Sequence, residues 1–142
     1  METIAPILPV LFVGGLVALV VVTTRSRRRR ERVALAAQWD WMLREREARR
    51  PTGVRMLQVE SVYQRARRGS KARVRWCDSG AVQDAWFQGW HAPPGAFVLA
   101  VGQTGWGPHN QIRNVLYVGP GQVYGWAPAA ASVAWQRLQA TA

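Results

Sequence analysis

The sequence predicts one transmembrane helix, a basic helical stalk and a small, mostly β domain closed by a short C-terminal helix. Three observations lead to this prediction. An uncharged apolar run occupies residues 4–22, arginines cluster within residues 25–32, and the hydrophobic pattern changes from helical to strand-like after residue 50. These observations divide the chain into residues 1–24, 25–50 and 51–142.

The apolar run contains no charged or hydrogen-bonding side chain. About 20 apolar residues in a helix are enough to cross a bilayer core. Arginine after such a run keeps that flank in the cytoplasm, so we expect a single pass through the cell membrane, with the N-terminus outside. A cleaved secretory signal is a weaker interpretation, because residues 1–3 carry no positive charge and no A-x-A cleavage site follows the run.

The net charge of +11 lies almost entirely before residue 77, because residues 77–142 contain only Arg113 and Arg137 against Asp78 and Asp84. Basic residues beside a membrane segment attract anionic lipid. We therefore expect contacts with lipid headgroups from Arg25, Arg27, Arg28, Arg29, Arg30 and Arg32.

Residues 31–50 predict a helix, since they contain no glycine or proline and are rich in alanine, leucine, arginine and glutamate. Nothing between Val22 and Glu31 breaks a helix, so the apolar run and the stalk can form one rod. The spacing favours ion pairs between Asp40 and Arg44 and between Glu45 and Arg49. We expect the apolar stripe to pack on the chain's own domain, with self-association or a lipid-facing helix as alternatives; it comprises Leu35, Trp39, Met42 and Leu43.

Pro51 and Gly53 end the helix, and short strand-like segments separated by glycine and proline follow. Residues 64–70 predict a basic loop, 78–80 a hairpin turn and 102–111 a long loop. The predicted strands span residues 54–63, 71–77, 81–90, 96–101, 113–118 and 122–126.

The segment 71–77 alternates cleanly, which places Ala72, Val74 and Trp76 on one face and its basic residues on the other. A shift of face between Val82 and Ala85 predicts a β-bulge. Pro128 favours the first turn of a closing helix over residues 129–139. So many strands in so few residues favour a small barrel, OB-like or SH3-like.

Only Cys77, His91 and His109 offer an ordinary nucleophile or base. The sequence has no His-x-x-x-His, no Gly-x-Ser-x-Gly and no phosphate loop. We therefore expect a non-catalytic protein without cofactor or metal, and an enzyme that uses Cys77 or a histidine is the weakest alternative. One lone cysteine agrees with a reducing compartment.

Trp106 lies between glycines in the predicted loop, with nothing nearby in the sequence to bury it. Exposed aromatic residues on loops anchor interfaces. We expect a membrane-anchored accessory or scaffold protein that binds a protein partner through this loop, while Trp86, Trp90 and Trp126 form the core. The predicted partner-binding residues are Trp106, His109, Asn110 and Gln111.

An alternative function is nucleic-acid binding by an arginine-rich strand face beside an aromatic ring. Arginine and aromatic residues interleaved on a strand are typical of single-strand binding. A solvated face turned toward anionic lipid explains the same arginines. The residues of this alternative are Arg65, Arg67, Arg68, Arg73, Arg75 and Trp76.

Overall fold

The computed structural model describes residues 7–104 and 114–142, with side chains from residue 13 onward. An unbroken helix α1 (Ile7–Arg49) and a short 3-10 helix (Arg50–Thr52) precede the sheet, and helix α2 (Ala129–Ala140) ends the fold. The strands are β1 (Arg55–Ala66), β2 (Gly69–Trp76), β3 (Val82–Gln88), β4 (Phe97–Ala100), β5 (Gln103–Thr104), β6 (Leu116–Val118) and β7 (Val123–Ala127).

The prediction of a transmembrane helix is wrong. Within the described residues, no helix is both long enough and apolar enough to cross a membrane. Where side chains of α1 are described, the apolar ones run from Val13 only to Val22, and threonines and Arg25 follow before the required length of about 20 residues is reached. Residues 1–6 of the predicted span lie outside the described residues.

The predicted single-pass topology and cell-membrane location are wrong for the same reason. α1 instead continues from the apolar residues through the arginines into the segment that packs on the sheet. The composition-based boundaries at residues 24 and 50 stay predictions.

The seven strands form one curled, mixed sheet in the order β5-β6-β3-β2-β1-β4-β7. Most neighbours are antiparallel, but β3 and β6 are parallel. Among the described strands, the edge strands β5 and β7 do not pair with each other, and a closed barrel needs that pairing. The predicted OB-like or SH3-like barrel is therefore wrong, and the sheet stays open.

The β1–β2 hairpin is longer than the sequence predicts. β1 continues to Ala66 and β2 begins at Gly69, so Arg67 and Arg68 alone form the turn where a loop was expected over 64–70. The end of β1 is largely exposed, whereas Gly69 and Ser70 at the start of β2 are buried but carry no apolar side chain, so the segment gives no alternating apolar signal.

The predicted bulge between Val82 and Ala85 is also wrong, because β3 pairs with β2 in regular register from residue 82 to 88. The irregularities occur in β1 instead, between Val59 and Ser61 and between Val62 and Gln64.

The inner surface of the curl forms the sheet core, in which Leu57, Val59, Val74, Phe87 and Val98 are almost completely buried. The alternation predicted for β2 is confirmed, since Ala72, Val74 and Trp76 are all buried. Lys71, Arg73 and Arg75 lie on the opposite face, which we call the outer face.

A second cluster, the helix core, joins α1 to the sheet and to α2. Trp39 and Met42 pack with Leu99 and Ala131, and the rings of Trp39 and Phe97 meet edge-on at 4.7 Å. The expectation that the stripe of α1 packs on its own domain is confirmed. Both predicted ion pairs form, Arg44 to Asp40 at 3.1 Å and Arg49 to Glu45 at 2.8 Å.

Candidate ligand-binding groove

Four neighbouring strands align four side chains across the outer face of the sheet. Gln64 lies opposite Lys71, Lys71 lies opposite Trp86, and Trp86 lies opposite Tyr117. Side chains of directly opposed residues share a face, so these four form a row across β1, β2, β3 and β6.

A groove of about 490 Å³ follows this row. Its volume lies in the range of small-molecule binding sites. Its walls combine aromatic, basic and amide side chains, and the lining residues are Tyr63, Gln64, Ala66, Arg67, Arg68, Lys71, Ala85, Trp86, Gln88, Val115 and Tyr117.

The groove contains three aromatic rings from three strands. Tyr63 is 56% exposed, while Trp86 and Tyr117 are half-buried. Tyr63 belongs to the groove because of the irregularity in β1: Val62 and Gln64 each oppose a residue of β2, and Tyr63 is the extra residue between them. The bulge therefore adds an aromatic side chain beside Gln64.

The basic residues of the groove have no acidic partner. Among the described residues, Arg67, Arg68 and Lys71 lie in no ion pair. Arg73 and Arg75 differ from them, because both contact Glu60, at 3.8 and 2.6 Å. Positive charge is therefore neutralised along the middle of β2 and left free at the hairpin end.

Gly69 holds the hairpin against the ring of Trp86. Its φ is +150°, and a Cβ built there would lie 2.1 Å from the carbonyl oxygen of Phe87 and 3.1 Å from Cζ2 of Trp86. Only glycine permits this approach. The indole of Trp86 therefore lies close against the backbone at the start of β2.

Two tyrosine hydroxyls of the groove have distinct environments. Burial raises the pKa of Tyr63, and the negative charge of Asp84 and a hydrogen bond to its carboxylate raise it further, so this hydroxyl stays protonated and donates to Asp84. The hydroxyl oxygen of Tyr117 is buried and has no hydrogen-bond partner among the described residues. Such an unpaired group costs roughly 1–3 kcal/mol.

The structure divides the residues predicted to bind nucleic acid. Arg67 and Arg68 line the groove, whereas Arg65 does not, and Arg73 and Arg75 are paired with Glu60.

Trp76 cannot stack on a ligand. It is only 6% exposed, and its indole nitrogen donates to Oε1 of Gln83 at 2.6 Å. The guanidinium of Arg55 lies over its ring, 4.1 Å from the centroid.

Sequence reasoning missed Tyr63, Lys71 and Tyr117 as site residues, and its placement of Trp86 in the core is wrong, since this half-buried residue lines the groove. The alternation of β2 already placed Lys71 on the outer face, so its position was available from the pattern. The position of Tyr117 was not available from the pattern. It depends on the parallel pairing of β6 with β3, two segments about 30 residues apart in sequence.

The predicted partner-binding residues Trp106, His109, Asn110 and Gln111 lie outside the described residues, so binding of a protein partner through this loop stays a prediction. The arginines predicted to contact lipid lie on an exposed part of α1, where Arg27 contacts Glu31 at 3.3 Å. Their contact with lipid headgroups also stays a prediction.

Cys77 and His91, two residues of the enzyme alternative, do not line the groove, and His109 lies outside the described residues. Burial raises the pKa of the Cys77 thiol, Arg46 opposes this shift and Asp78 adds to it, although the residue still reaches solvent. At neutral pH this thiol therefore holds less of the reactive thiolate than a free cysteine does. His91 places Nε2 2.8 Å from the carbonyl oxygen of Ala66, which braces the hairpin.

No three histidine, cysteine or acidic side chains lie together within the described parts of the chain, so we assign no metal site there. Comparisons with models of protein families, with curated proteins and with solved structures gave no match.

Proposed function

We propose that this protein is a non-catalytic binding module whose groove holds a nucleotide-type ligand, meaning a flat ring system that carries phosphate. The observation that carries the proposal is the meeting, in one groove, of three aromatic rings with three basic side chains that form no ion pair with any described residue. A flat ring stacks on an aromatic side chain, and phosphate prefers arginine and lysine.

The charge pattern favours a ligand that carries phosphate over an uncharged, apolar ligand. The cations of the groove have no acid within 4.0 Å among the described residues, and the sequence 105–113 between β5 and β6 contains no acidic residue. An anion bound beside Lys71 therefore displaces no ion pair of the kind that Glu60 forms with Arg73, although the carboxylate of Asp84 lies at the Tyr63 hydroxyl.

The amide side chains add hydrogen-bonding capacity without charge. Gln64 and Gln88 line the groove, and each amide offers both donors and an acceptor. Such groups suit the polar edge of a nucleobase, which presents donors and acceptors in one plane.

Titration of the full chain with adenosine triphosphate, followed by calorimetry, tests the proposal. Lys71→Ala should weaken binding by about 10- to 150-fold, since a charge-assisted contact is worth about 1.5–3 kcal/mol. The matched control is Arg73→Ala, which removes a cation from the same face of the same strand, two residues away, but one already paired with Glu60.

The two substitutions must differ for the proposal to stand. Equal losses from Lys71→Ala and Arg73→Ala would mean that general surface charge attracts the nucleotide. If the unmodified chain bound a polyglutamate peptide as tightly as adenosine triphosphate, the aromatic rings would play no part in binding.

A further inference from the structure

The groove offers more contact points than one nucleotide can use. Tyr63 comes from β1, Trp86 from β3 and Tyr117 from β6, so the rings spread across four adjacent strands. Adjacent strands are about 4.8 Å apart, and the row therefore extends roughly 14 Å. A mononucleotide carries one ring system and stacks on one of these side chains at a time.

One cation of the row stands between two of the rings. Lys71 on β2 lies between the ring of Tyr63 on β1 and the ring of Trp86 on β3, because β2 separates those two strands. Arg67 and Arg68 stand at the hairpin end of the same groove. A ring, a cation and another ring match the repeat of a polynucleotide, in which a phosphate joins each base to the next.

The rings also favour a single strand over a duplex. Stacking on a protein ring requires a base whose face is free, and the bases of a duplex cover one another's faces. Gln64 and Gln88 can reach base edges only when those edges are not paired with a second strand.

We infer that the ligand of the groove is single-stranded nucleic acid, of which two or three consecutive nucleotides lie across β1, β2, β3 and β6. This inference rests on the proposed nucleotide-type ligand and extends it from a monomer to a polymer. Trp86 is the central stacking side chain, and Lys71 holds the phosphate between two bases.

Oligothymidylates of one to five nucleotides, titrated by calorimetry into the full chain, provide the test. We expect affinity to rise about 5- to 150-fold with each added nucleotide up to two or three, and then to level off, as stacking contacts are filled. Contact with three cations should give a slope of log K against log salt of about −2. Oligouridylates of equal length show whether the groove distinguishes RNA from DNA.

Two variants locate the binding. Trp86→Ala should lower the affinity for the trinucleotide by about 5- to 150-fold. Trp126→Ala is the matched control, since it removes a partly exposed indole from β7, outside the groove, and should leave the affinity unchanged. Circular dichroism of both variants verifies that the fold survives.

The outcomes separate the two proposals. If adenosine triphosphate and the mononucleotide bind as tightly as the trinucleotide, the inference fails and the proposed function stands. If none of them binds, both fail. Equal binding of a duplex, or binding unaffected by Trp86→Ala, would place the contact elsewhere, for example on the exposed arginines of α1, and would overturn the inference.

Discussion

At the scale of single residues, free charge and paired charge lie side by side on one face of β2. Lys71 has no acidic partner among the described residues, whereas Arg73 and Arg75 share Glu60. Exposed ion pairs contribute little to stability, so the pairing matters mainly for where an anion can bind. The face therefore directs a negative ligand toward the hairpin end.

The hydroxyl of Tyr117 provides a stability prediction. Tyr117→Phe removes a buried oxygen that has no partner among the described residues. We expect the free energy of unfolding to rise by about 1 kcal/mol, since the cost of an unpaired group disappears. Urea denaturation measures this change, and Tyr63→Phe is the control, because the Tyr63 hydroxyl has Asp84 as a partner and its removal should bring no gain in stability. A clear loss of stability in Tyr117→Phe would show that this oxygen has a partner.

The contact between Arg55 and Asp78 provides a pH prediction. Arg55 donates two hydrogen bonds of 2.8 Å to this carboxylate, which lowers its pKa from 3.8 to about 2. A lowered pKa gives stability that is present above pH 3.8 and is lost as the pH falls toward 2. Because both side chains are well exposed, the contribution stays under about 1 kcal/mol.

The measurement compares wild type with Asp78→Asn by urea denaturation across this pH range. The variant should be less stable at pH 7, and the two curves should converge near pH 2. Asp40→Asn, in an exposed pair on α1, should show a smaller difference between the two pH values. A gap that persists at pH 2 would contradict the assignment.

At the scale of elements, the β1–β2 hairpin carries the groove. It supplies Tyr63, Gln64, Lys71 and both turn arginines. Its geometry depends on the irregularities in β1 and on the close approach at Gly69. A change in the hairpin therefore alters binding and folding together.

Gly69→Ala tests this dependence. The added Cβ would meet the Phe87 carbonyl oxygen at 2.1 Å, and backbone cannot move aside as a side-chain tip can. We expect a loss of about 1–3 kcal/mol in the free energy of unfolding, measured in urea. Gly53→Ala is the control. Its φ is +81°, but nothing lies within 4 Å of an added Cβ, so this substitution carries only the energetic cost of the left-handed backbone conformation. Equal losses would show that the contact with Phe87 is unimportant.

Elements with a one-sided pattern could be predicted from the sequence. The run KARVRWC alternates because one face enters the sheet core, and the ion pairs of α1 follow from spacing alone. The hairpin ends over 64–70 could not be recognised, since neither face is consistently apolar there. No local sequence pattern indicates the parallel β3–β6 pair, and the position of Tyr117 depends on that pair.

At the scale of the whole molecule, α1 has two parts with different surroundings. From Leu35 onward it packs into the helix core, where Met42 is completely buried. Between residues 13 and 34 every side chain is exposed, including Val17 and Val20. The prediction of a membrane span treated that first part as one unit with residues 1–12, whose side chains are not described.

Paired substitutions distinguish the two parts. Met42→Ala should lower the free energy of unfolding by about 2–5 kcal/mol, because a buried side chain is lost from the cluster that joins α1, β4 and α2. Val17→Ala, on the exposed part, should change it by less than about 0.5 kcal/mol. Chemical denaturation followed by tryptophan fluorescence measures both. Similar effects from the two substitutions would contradict the packing of α1 described above.

The helix core has a consequence for how the protein is made on the ribosome. Trp39 and Met42 are covered by Leu99 and Ala131, so the last of the cover arrives some 90 residues after the side chains that need it. Until residue 131 leaves the exit tunnel, the nascent chain shows an apolar surface that attracts chaperones or other unfinished chains. A product cut before α2 should therefore aggregate, even though its sheet core is complete.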